Sequence, residues 1–451
     1  MNSSYHFIAI GGVGMSGLAK YLIQKGISVS GSDVIESKYT KYLKDIGADV
    51  IVGHSANNIK GRPTVVVSSA IKDNNPELKY AKELGLTIYH RSDLLAEIAN
   101  NEKHFIGFAG THGKTTTSGL ASYILSKANM KPSFVVGGII PEYNTNAEYS
   151  KDGRFFTAEL DESDGTIVKY IPNTLVINNL EEDHLDFYTD GLPSILKTFD
   201  SLISNMKSDS KVIVNIDNNG IKQLKNIDKF ITYSLYNGDY TAKHINYCCG
   251  YTEFDVFYHN KFLTKLKIIL PGEHNVYNTL AVLAALHQNG IDISALTKYF
   301  ESFTGMGRRF QKMGTINGCT IYDDYAHHPT EINSTLTALK SFTDKRIIAV
   351  FQPHRYSRLK SLWNDFKRAV SNVDTLIVTD VYAASEAPLD NINSSNFTKE
   401  LNNAEYISGN INTVAKKIMS RLDSEHVLIG LGAGDITNLY KELEKEANGN
   451  Y

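Results

Sequence analysis

The chain has 451 residues, 42% of them hydrophobic and 21% charged, with a formal net charge of −3. That balance belongs to an ordinary globular protein and offers no basic field to nucleic acid or to an anionic membrane. Three cysteines, Cys248, Cys249 and Cys319, match no zinc spacing and argue against a disulfide scaffold, and no apolar run approaches the roughly 18 residues needed to span a bilayer.

The start, MNSSYHFIAIGG, has neither a basic segment nor a long apolar core; it reads as a strand entering a turn, and the expected location is cytoplasmic. From there short apolar runs alternate with helical patterns, without short internal repeats or low-complexity tracts. That alternation predicts an α/β chain of mostly parallel sheets with flanking helices, and the length predicts roughly three domains. In residues 1–100, strand HFIAIGG, helix GMSGLAKYLIQKG and strand SVSGSD precede strands DVIVG and TVVVSSA and a helix from Asn75 to Gly85. Residues 101–305 open with strand HFIGFAG and helix TTTSGLASYIL, continue with strands FFTAEL and TLVINN, and close with helix NVYNTLAVLAALHQNG. Pattern alone does not resolve the polar stretch 205–268. Residues 306–451 hold strands TIYDDY, RIIAVFQ, TLIVTDV and HVLIGLGAG.

Residues 12–17, GVGMSG, fit G-x-G-x-x-G between a strand and a helix, and Asp33 ends the next strand. Such glycines let the backbone approach a diphosphate at a helix amino terminus. An NAD site, a UDP-sugar site and a ligand-free turn all remain open on that motif, with Asp33 facing a ribose or a base in the first two. GTHGKTTT, 110–117, has the lysine and threonine of a phosphate loop, but the first glycine of G-x-x-x-x-G-K-[ST] would fall on Phe108. Read as a phosphate loop, it places Lys114 on the β- and γ-phosphates and the Thr115 hydroxyl on Mg2+.

The next two strands deliver Glu159-Leu160-Asp161-Glu162 and Glu181-Glu182-Asp183-His184 to the same sheet edge, where ligands of open parallel sheets gather. The carboxylates suit magnesium or a solvated loop. His184 is a softer donor than Mg2+ selects, and a hydrogen-bonded loop histidine fits it equally. In the last third, Asp323-Asp324-Tyr325-Ala326-His327-His328-Pro329 and Gln352-Pro353-His354-Arg355-Tyr356-Ser357-Arg358 each follow a strand and lead into a helix. Arginines near a helix's first turn are disfavoured by its dipole unless an anion is present; ordinary ion pairs are the other reading. The paired histidines could be structural. GMGRRF, 305–310, lies at a domain seam, where a basic residue reaches a nucleotide or makes a linker ion pair.

GGVGMSGLA, GTHGKTTT, ELDESDG, NNLEEDHLDFY, GEHNVYN, RRF, DDYAHHPTEI, QPHRYSR, DVYAASEAP and GAGD occur in this order. Together they resemble the Mur ligases over nearly the whole chain. The resemblance implies that the short loop is a working ATP site. It also implies three domains: a Rossmann-like UDP-sugar-binding domain (1–100), a P-loop ATPase-like central domain (101–305) and a Rossmann-like carboxyl-terminal domain (306–451) that closes over the nucleotide. The implied enzyme is an ATP-dependent acid–amino-acid ligase of peptidoglycan biosynthesis that joins L-alanine to UDP-N-acetylmuramate through an acyl phosphate, with Mg2+, as a monomer or weak homodimer.

By the same resemblance Gly110, Thr111, His112, Gly113, Lys114, Thr115, Thr116, Asn278 (at adenine) and Arg308 or Arg309 hold ATP. Thr115 and Glu159 hold one metal and His184 a second; His327, Arg355 and Arg358 orient alanine, with Tyr325 limiting its side chain. Gly11, Gly12, Val13, Gly14, Ser32, Asp33, His54, Ser68 and Ser69 line the UDP site. Three departures stand out. Phe199 takes the place of a lysine that some relatives carry carbamylated, and Lys197, two residues away on a helix, faces elsewhere. IIPEYNTNAEY, 139–149, lacks an expected glycine and arginine, and DVYAASE has serine where glycine is commoner. A ligase that recycles a whole tripeptide onto the same sugar nucleotide, an NAD-dependent dehydrogenase and a non-catalytic nucleotide-binding protein are the competing readings.

Overall fold

The computed structural model describes residues 2–185, 187–248 and 250–449, so Asp186 and Cys249 lie outside them. Three sheets follow one another along the chain. The first is wholly parallel: β1 (Ser4–Ile8), β2 (Ser28–Asp33), β3 (Asp49–Val52), β4 (Thr64–Val67) and β5 (Ile88–His90), in the order β3-β2-β1-β4-β5. Helices α1 (Val13–Gln24), α2 (Lys38–Asp45), α3 (Pro76–Glu83) and α4 (Arg91–Asn100) connect and flank these strands. The predicted helix at 75–85 starts where local chemistry says it should: the Asn75 side chain caps the N–H groups of Glu77 and Leu78, and Pro76 occupies the first turn. Strand order reverses on either side of β1, so the Gly11–Gly14 turn leaves the sheet at a topological switch point.

The second sheet has ten strands: β6 (Phe105–Ala109), β7 (Ser133–Ile140), β8 (Thr145–Glu148), β9 (Phe156–Glu159), β10 (Thr174–Ile177), β11 (Lys211–Asn215), β12 (Ile231–Ser234), β13 (Tyr240–Cys248), β14 (Tyr251–Tyr258) and β15 (Lys261–Ile268). Their order is β15-β14-β13-β12-β11-β10-β6-β9-β7-β8. The polar stretch 205–268 thus supplies β11–β15 and extends the sheet. Helices α5 (Lys114–Lys127), α6 (Leu192–Asn205), α7 (Glu273–Gln288) and α8 (Thr297–Ser302) accompany it. On α6 Phe199 is buried and Lys197 is exposed, so the two point to different sides of the helix.

The third sheet joins β16 (Gln311–Ile316), β17 (Cys319–Asp324), β18 (Arg346–Phe351), β19 (Thr375–Val378), β20 (Ala404–Tyr406) and β21 (His426–Leu431), in the order β16-β17-β21-β18-β19-β20. Only β16 runs antiparallel. Helices α9 (Pro329–Phe342) and α10 (Tyr356–Ser361) follow β17 and β18. The central strand β18 shows why its sequence is a continuous apolar run. Ile347, Ala349 and Phe351 enter one core, Ile348 and Val350 the other, because helices cover both faces of the sheet.

Contacts group the chain into two compact units. One runs up to Lys243 and includes Asp255–Leu266 and Tyr277–Glu301; the other comprises His244–Phe254, Lys267–Val276 and the chain from Ser302 onward. Among the described residues no helix is long and apolar enough to cross a membrane.

Candidate active site

Phe108 is a fully buried residue of β6, paired with Val176 on one side and Glu159 on the other. The strand ends at Ala109, so the loop is short because it starts at Gly110. Gly113 has φ +82°, and a Cβ there would lie 2.6 Å from Asn278 Oδ1 and 3.0 Å from Asn178 Nδ2. Only glycine satisfies both the backbone angle and that approach. The loop is held from β10: Asn179 takes the N–H of Thr111 on its carbonyl (3.0 Å) and the N–H of His112 on its side-chain oxygen (2.7 Å). Helix α5 then begins with no side-chain cap, leaving its amino-terminal N–H groups for an anion.

Lys114 Nζ donates to Gly110 O (2.6 Å), Thr111 O (3.1 Å) and Glu162 Oε1 (2.8 Å). Burial alone would push the lysine down, but Glu162, Asp161 and Glu159 together hold it above its ordinary value. Burial pushes the Glu162 carboxyl up to about 7, with Lys114 opposing. The Thr115 hydroxyl donates to Glu159 Oε2 at 2.8 Å, and Gly137 N–H reaches the same oxygen at 3.0 Å. His184, with φ +52°, places Nε2 3.7 Å from Asp183 and 4.0 Å from Glu162. Thr116, on the first turn of α5, and Asn278, on α7, are half-buried and buried. All these residues belong to the first unit, where β6, β9 and β10 end side by side.

The residues assigned to the UDP site collect at the corresponding edge of the first sheet. Gly11–Gly14 follow β1, Ser32 and Asp33 end β2, His54 follows β3, and Ser68 and Ser69 follow β4. Asp33 accepts from the Gly11 N–H at 2.8 Å and so braces the glycine turn. Ser32 is fully buried: its hydroxyl meets Glu77 at 2.7 Å and His54 Nδ1 at 2.8 Å. Glu77 itself is fully buried and also takes His6, Asn58 and the Ser55 N–H, which hold its carboxyl low against the cost of burial. Between this edge and β9 lies a cavity of about 210 Å³, lined by Val13, Gly14, Arg91, Val136, Glu159 and Asp161 among others. Arg91 bonds Asp161 across it at 3.1 Å.

In the second unit Asp324 is buried, accepts from the N–H groups of Phe310 and Ala326 (both 2.7 Å), and is pushed up to about 6 by burial. It ties the RRF segment to the end of β17. Arg308 turns inward to Asp323 (3.4 Å) and to Gly432 O (2.7 Å), whereas Arg309 lies 3.5 Å from Glu331. His328 caps α9, and Glu331 returns the bond to its N–H, with Pro329 in the first turn. The second histidine of the pair is therefore structural in its contacts. His327 lies 3.3 Å from Glu331 and packs edge-on against His354, which stacks on Tyr382 with rings 5.6 Å apart. Burial pushes both His327 and His354 down to about 4, so both rings are neutral near pH 7. Arg355 immediately precedes α10 with φ +67° and Arg358 is in it. Among the described residues neither guanidinium has a carboxylate within 4.0 Å; Arg358 meets only His354, at 3.4 Å.

Residues absent from the motif-based assignment also take part in these contacts, among them Glu162, Gly137, Arg91 and His354. Glu162 and His354 lie inside segments already quoted, but nothing in a single sequence distinguishes them from their neighbours. Segment 139–149 is occupied in packing: the hairpin of β7 and β8 docks on α1, Asn146 donating to Val13 O (3.0 Å) and Glu148 pairing with Lys20 (2.7 Å).

Family models match the chain in three stretches: "Mur ligase family, catalytic domain" over residues 4–103, "Mur ligase middle domain" over 108–286 and "Mur ligase, glutamate ligase domain" over 308–434. The UDP-N-acetylmuramate–L-alanine ligase of Geotalea daltonii is 36% identical over 446 residues, which cover 97% of this chain and 96% of that one. The protein of the same name from Hydrogenobaculum sp. is 39% identical over 448 residues, 98% of each chain. The crystal structure of the UDP-N-acetylmuramate–alanine ligase of Thermotoga maritima matches with a TM-score of 0.84 at 28% identity, over 99% of this chain and 100% of that one. With all three domain descriptions matched in order and relatives aligned from end to end, the chain belongs to the Mur ligase family.

Proposed function

We infer that this protein joins L-alanine to the lactyl carboxylate of UDP-N-acetylmuramate and cleaves ATP to ADP and phosphate, the first amino-acid addition of peptidoglycan synthesis. The observation that carries the reading is the Lys114–Glu162 and Thr115–Glu159 pairing at the end of a short glycine loop, in a chain similar over its full length to ligases of that activity.

The residues divide the work by chemistry. Lys114 and the free N–H groups opening α5 bind the phosphate tail, and Asn278 lies beside the loop for the adenine. Thr115 and Glu159 offer two oxygens 2.8 Å apart, a donor set that fits Mg2+, and His184 would serve a second ion. Bound there, Mg2+ would neutralise charge on the phosphates during transfer. The γ-phosphoryl group passes to the substrate carboxylate, because phosphate is a far better leaving group than a carboxylate oxygen. The alanine amine then attacks the acyl carbon, and the tetrahedral intermediate loses phosphate to give the amide. Arg355 and Arg358 fit the alanine carboxylate, His327 orients the amino acid, Tyr325 bounds its side chain and Arg309 approaches the phosphates. Gly11–Gly14 take the UDP diphosphate and Asp33, which braces that turn, faces a ribose or base hydrogen, with His54, Ser68 and Ser69 at the rim and Ser32 behind His54. In this division residues 1–100 hold the sugar nucleotide, 101–305 ATP and 306–451 the amino acid.

The test is phosphate release with UDP-N-acetylmuramate and ATP while the acceptor is varied. Alanine is expected to drive turnover, and preference for a tripeptide would assign the recycling reaction instead. Lys114→Ala should lower ligation by 100-fold or more, on the order of the 3–4 kcal/mol that one transition-state contact supplies, and leave sugar-nucleotide binding largely intact. Equal loss of both would refute the division between sites.

A further inference from the structure

Glu162 lies in the turn that follows β9, and its side chain is only 3% exposed. One carboxylate oxygen meets Lys114; the other, Oε2, is buried and has no hydrogen-bond partner among the described residues. An ammonium group has three hydrogens. Those of Lys114 are taken by Gly110 O, Thr111 O and Glu162 Oε1. A phosphate oxygen can therefore reach Lys114 only by displacing one of the three. The two carbonyls belong to the loop that carries the lysine and travel with it. Glu162 is the one acceptor from a separate segment, and the one with a charge. That segment is pinned, because the Tyr188 hydroxyl (2.7 Å) and the Gly165 N–H (2.9 Å) both bond the Glu162 carbonyl.

We propose that Glu162 is a positioning residue that acts through Lys114: it serves as the lysine's internal counter-ion when no nucleotide is bound and gives up that place to a phosphate oxygen. The proposal rests on the reading of Lys114 as a phosphate contact. The pinned turn makes the exchange a swing of the lysine side chain, not a movement of the loop. Nucleotide affinity is then what remains after the Lys114–Glu162 pair is broken, and re-forming the pair helps ADP leave. The consequence is opposite to that of losing a binding residue. Removing the carboxylate charge while keeping its shape strengthens nucleotide binding and slows turnover.

The experiment is calorimetric titration of the full chain with ADP and Mg2+, without sugar nucleotide. Glu162→Gln is expected to bind ADP about tenfold more tightly, the lower end of what close charge pairs contribute. It should also lower both the KM for ATP and kcat. Lys114→Ala weakens ADP binding, and the Lys114→Ala/Glu162→Gln double variant is expected to bind no more tightly than Lys114→Ala alone. Unchanged or weaker ADP binding in a folded Glu162→Gln protein overturns the proposal. If that variant does not fold, Glu162→Asp retracts the carboxylate and should give a smaller tightening, whose absence overturns it equally. ADP affinity insensitive to Lys114→Ala would instead remove the nucleotide reading on which the proposal stands.

Discussion

The backbone N–H of Gly137 bonds Glu159 Oε2, and a methyl group added at Gly137 would come within 2.1 Å of that same oxygen. Glu159 is therefore held against Thr115 by a residue whose contribution is the absence of a side chain. Gly137→Ala is expected to displace the carboxylate and cut kcat/KM by about 100-fold, the scale of a 1 Å misplacement, while raising the Mg2+ concentration needed for half-maximal rate. A magnesium titration of both proteins reads this directly. After β18, Arg355 combines a positive-φ backbone with a guanidinium that has no carboxylate partner among the described residues, which is how a group reserved for an incoming anion presents itself. Arg355→Ala should raise the KM for alanine by about 10–100-fold, the value of a charged hydrogen bond of about 1.5–3 kcal/mol, and the KM for ATP by much less. Steady-state kinetics with each substrate varied separates the two; a larger change for ATP would reassign the arginine to the nucleotide.

Among the elements, α1 has two jobs. Its first turn, which Gly12 precedes and Gly14 enters, belongs to the stretch proposed for the diphosphate, and the helix is clamped by the β7–β8 hairpin and the residue after it through Asn146, Glu148 and the Tyr149 N–H, which bonds Gln24. Gly17 faces Asn146 so closely that an added Cβ would sit 2.8 Å from both side-chain polar atoms. Gly17→Ala is expected to push the hairpin away at a cost of about 1–3 kcal/mol, the usual penalty of overpacking. The result would be a lower melting temperature and faster proteolysis at residues 101–104, where the chain passes from the first sheet to the second. In this chain segment 139–149 is thus occupied in packing against a helix. Local sequence carries no sign of that packing, since the partner lies more than a hundred residues away.

Across the molecule, three histidines of the second unit share one titration behaviour. Burial pushes His274, His327 and His354 each down to about 4, with neighbouring arginines adding to the shift at the last two. A histidine of depressed pKa binds fewer protons folded than unfolded. Its contribution to stability is thus complete above the unfolded value of about 6.5 and is lost as pH falls toward 4. Over pH 7.5 to 4.5 the raised carboxyls of Glu162 and Asp324 gain stability while the three rings lose it, so the checkable outcome in urea unfolding is the difference between proteins: His327→Gln should lose less stability on acidification than the unchanged chain, by about 1.4 kcal/mol per pKa unit of that ring's shift. An unchanged pH dependence in His327→Gln would mean that this ring is solvated and protonates freely in the folded protein.

The sequence by itself determined the principal strands and helices of each segment, because apolar periodicity, caps such as Asn75 and prolines at first turns are local, but not β11–β15 of the polar stretch 205–268. It also determined the inventory of reactive groups, since glycine turns and strand tips write lysine, carboxylate and arginine at short range. Tertiary structure alone decided their partners. Lys114 finds Glu162 across 48 residues, Arg308 pairs with Asp323 and Arg309 with Glu331, Ser32 is closed off beneath His54, and Phe108 becomes a core residue where a longer loop would need glycine. The reason is physical: most buried polar atoms are satisfied by whatever the fold brings within about 3 Å, and that depends on the packing of distant segments, of which local pattern carries no record.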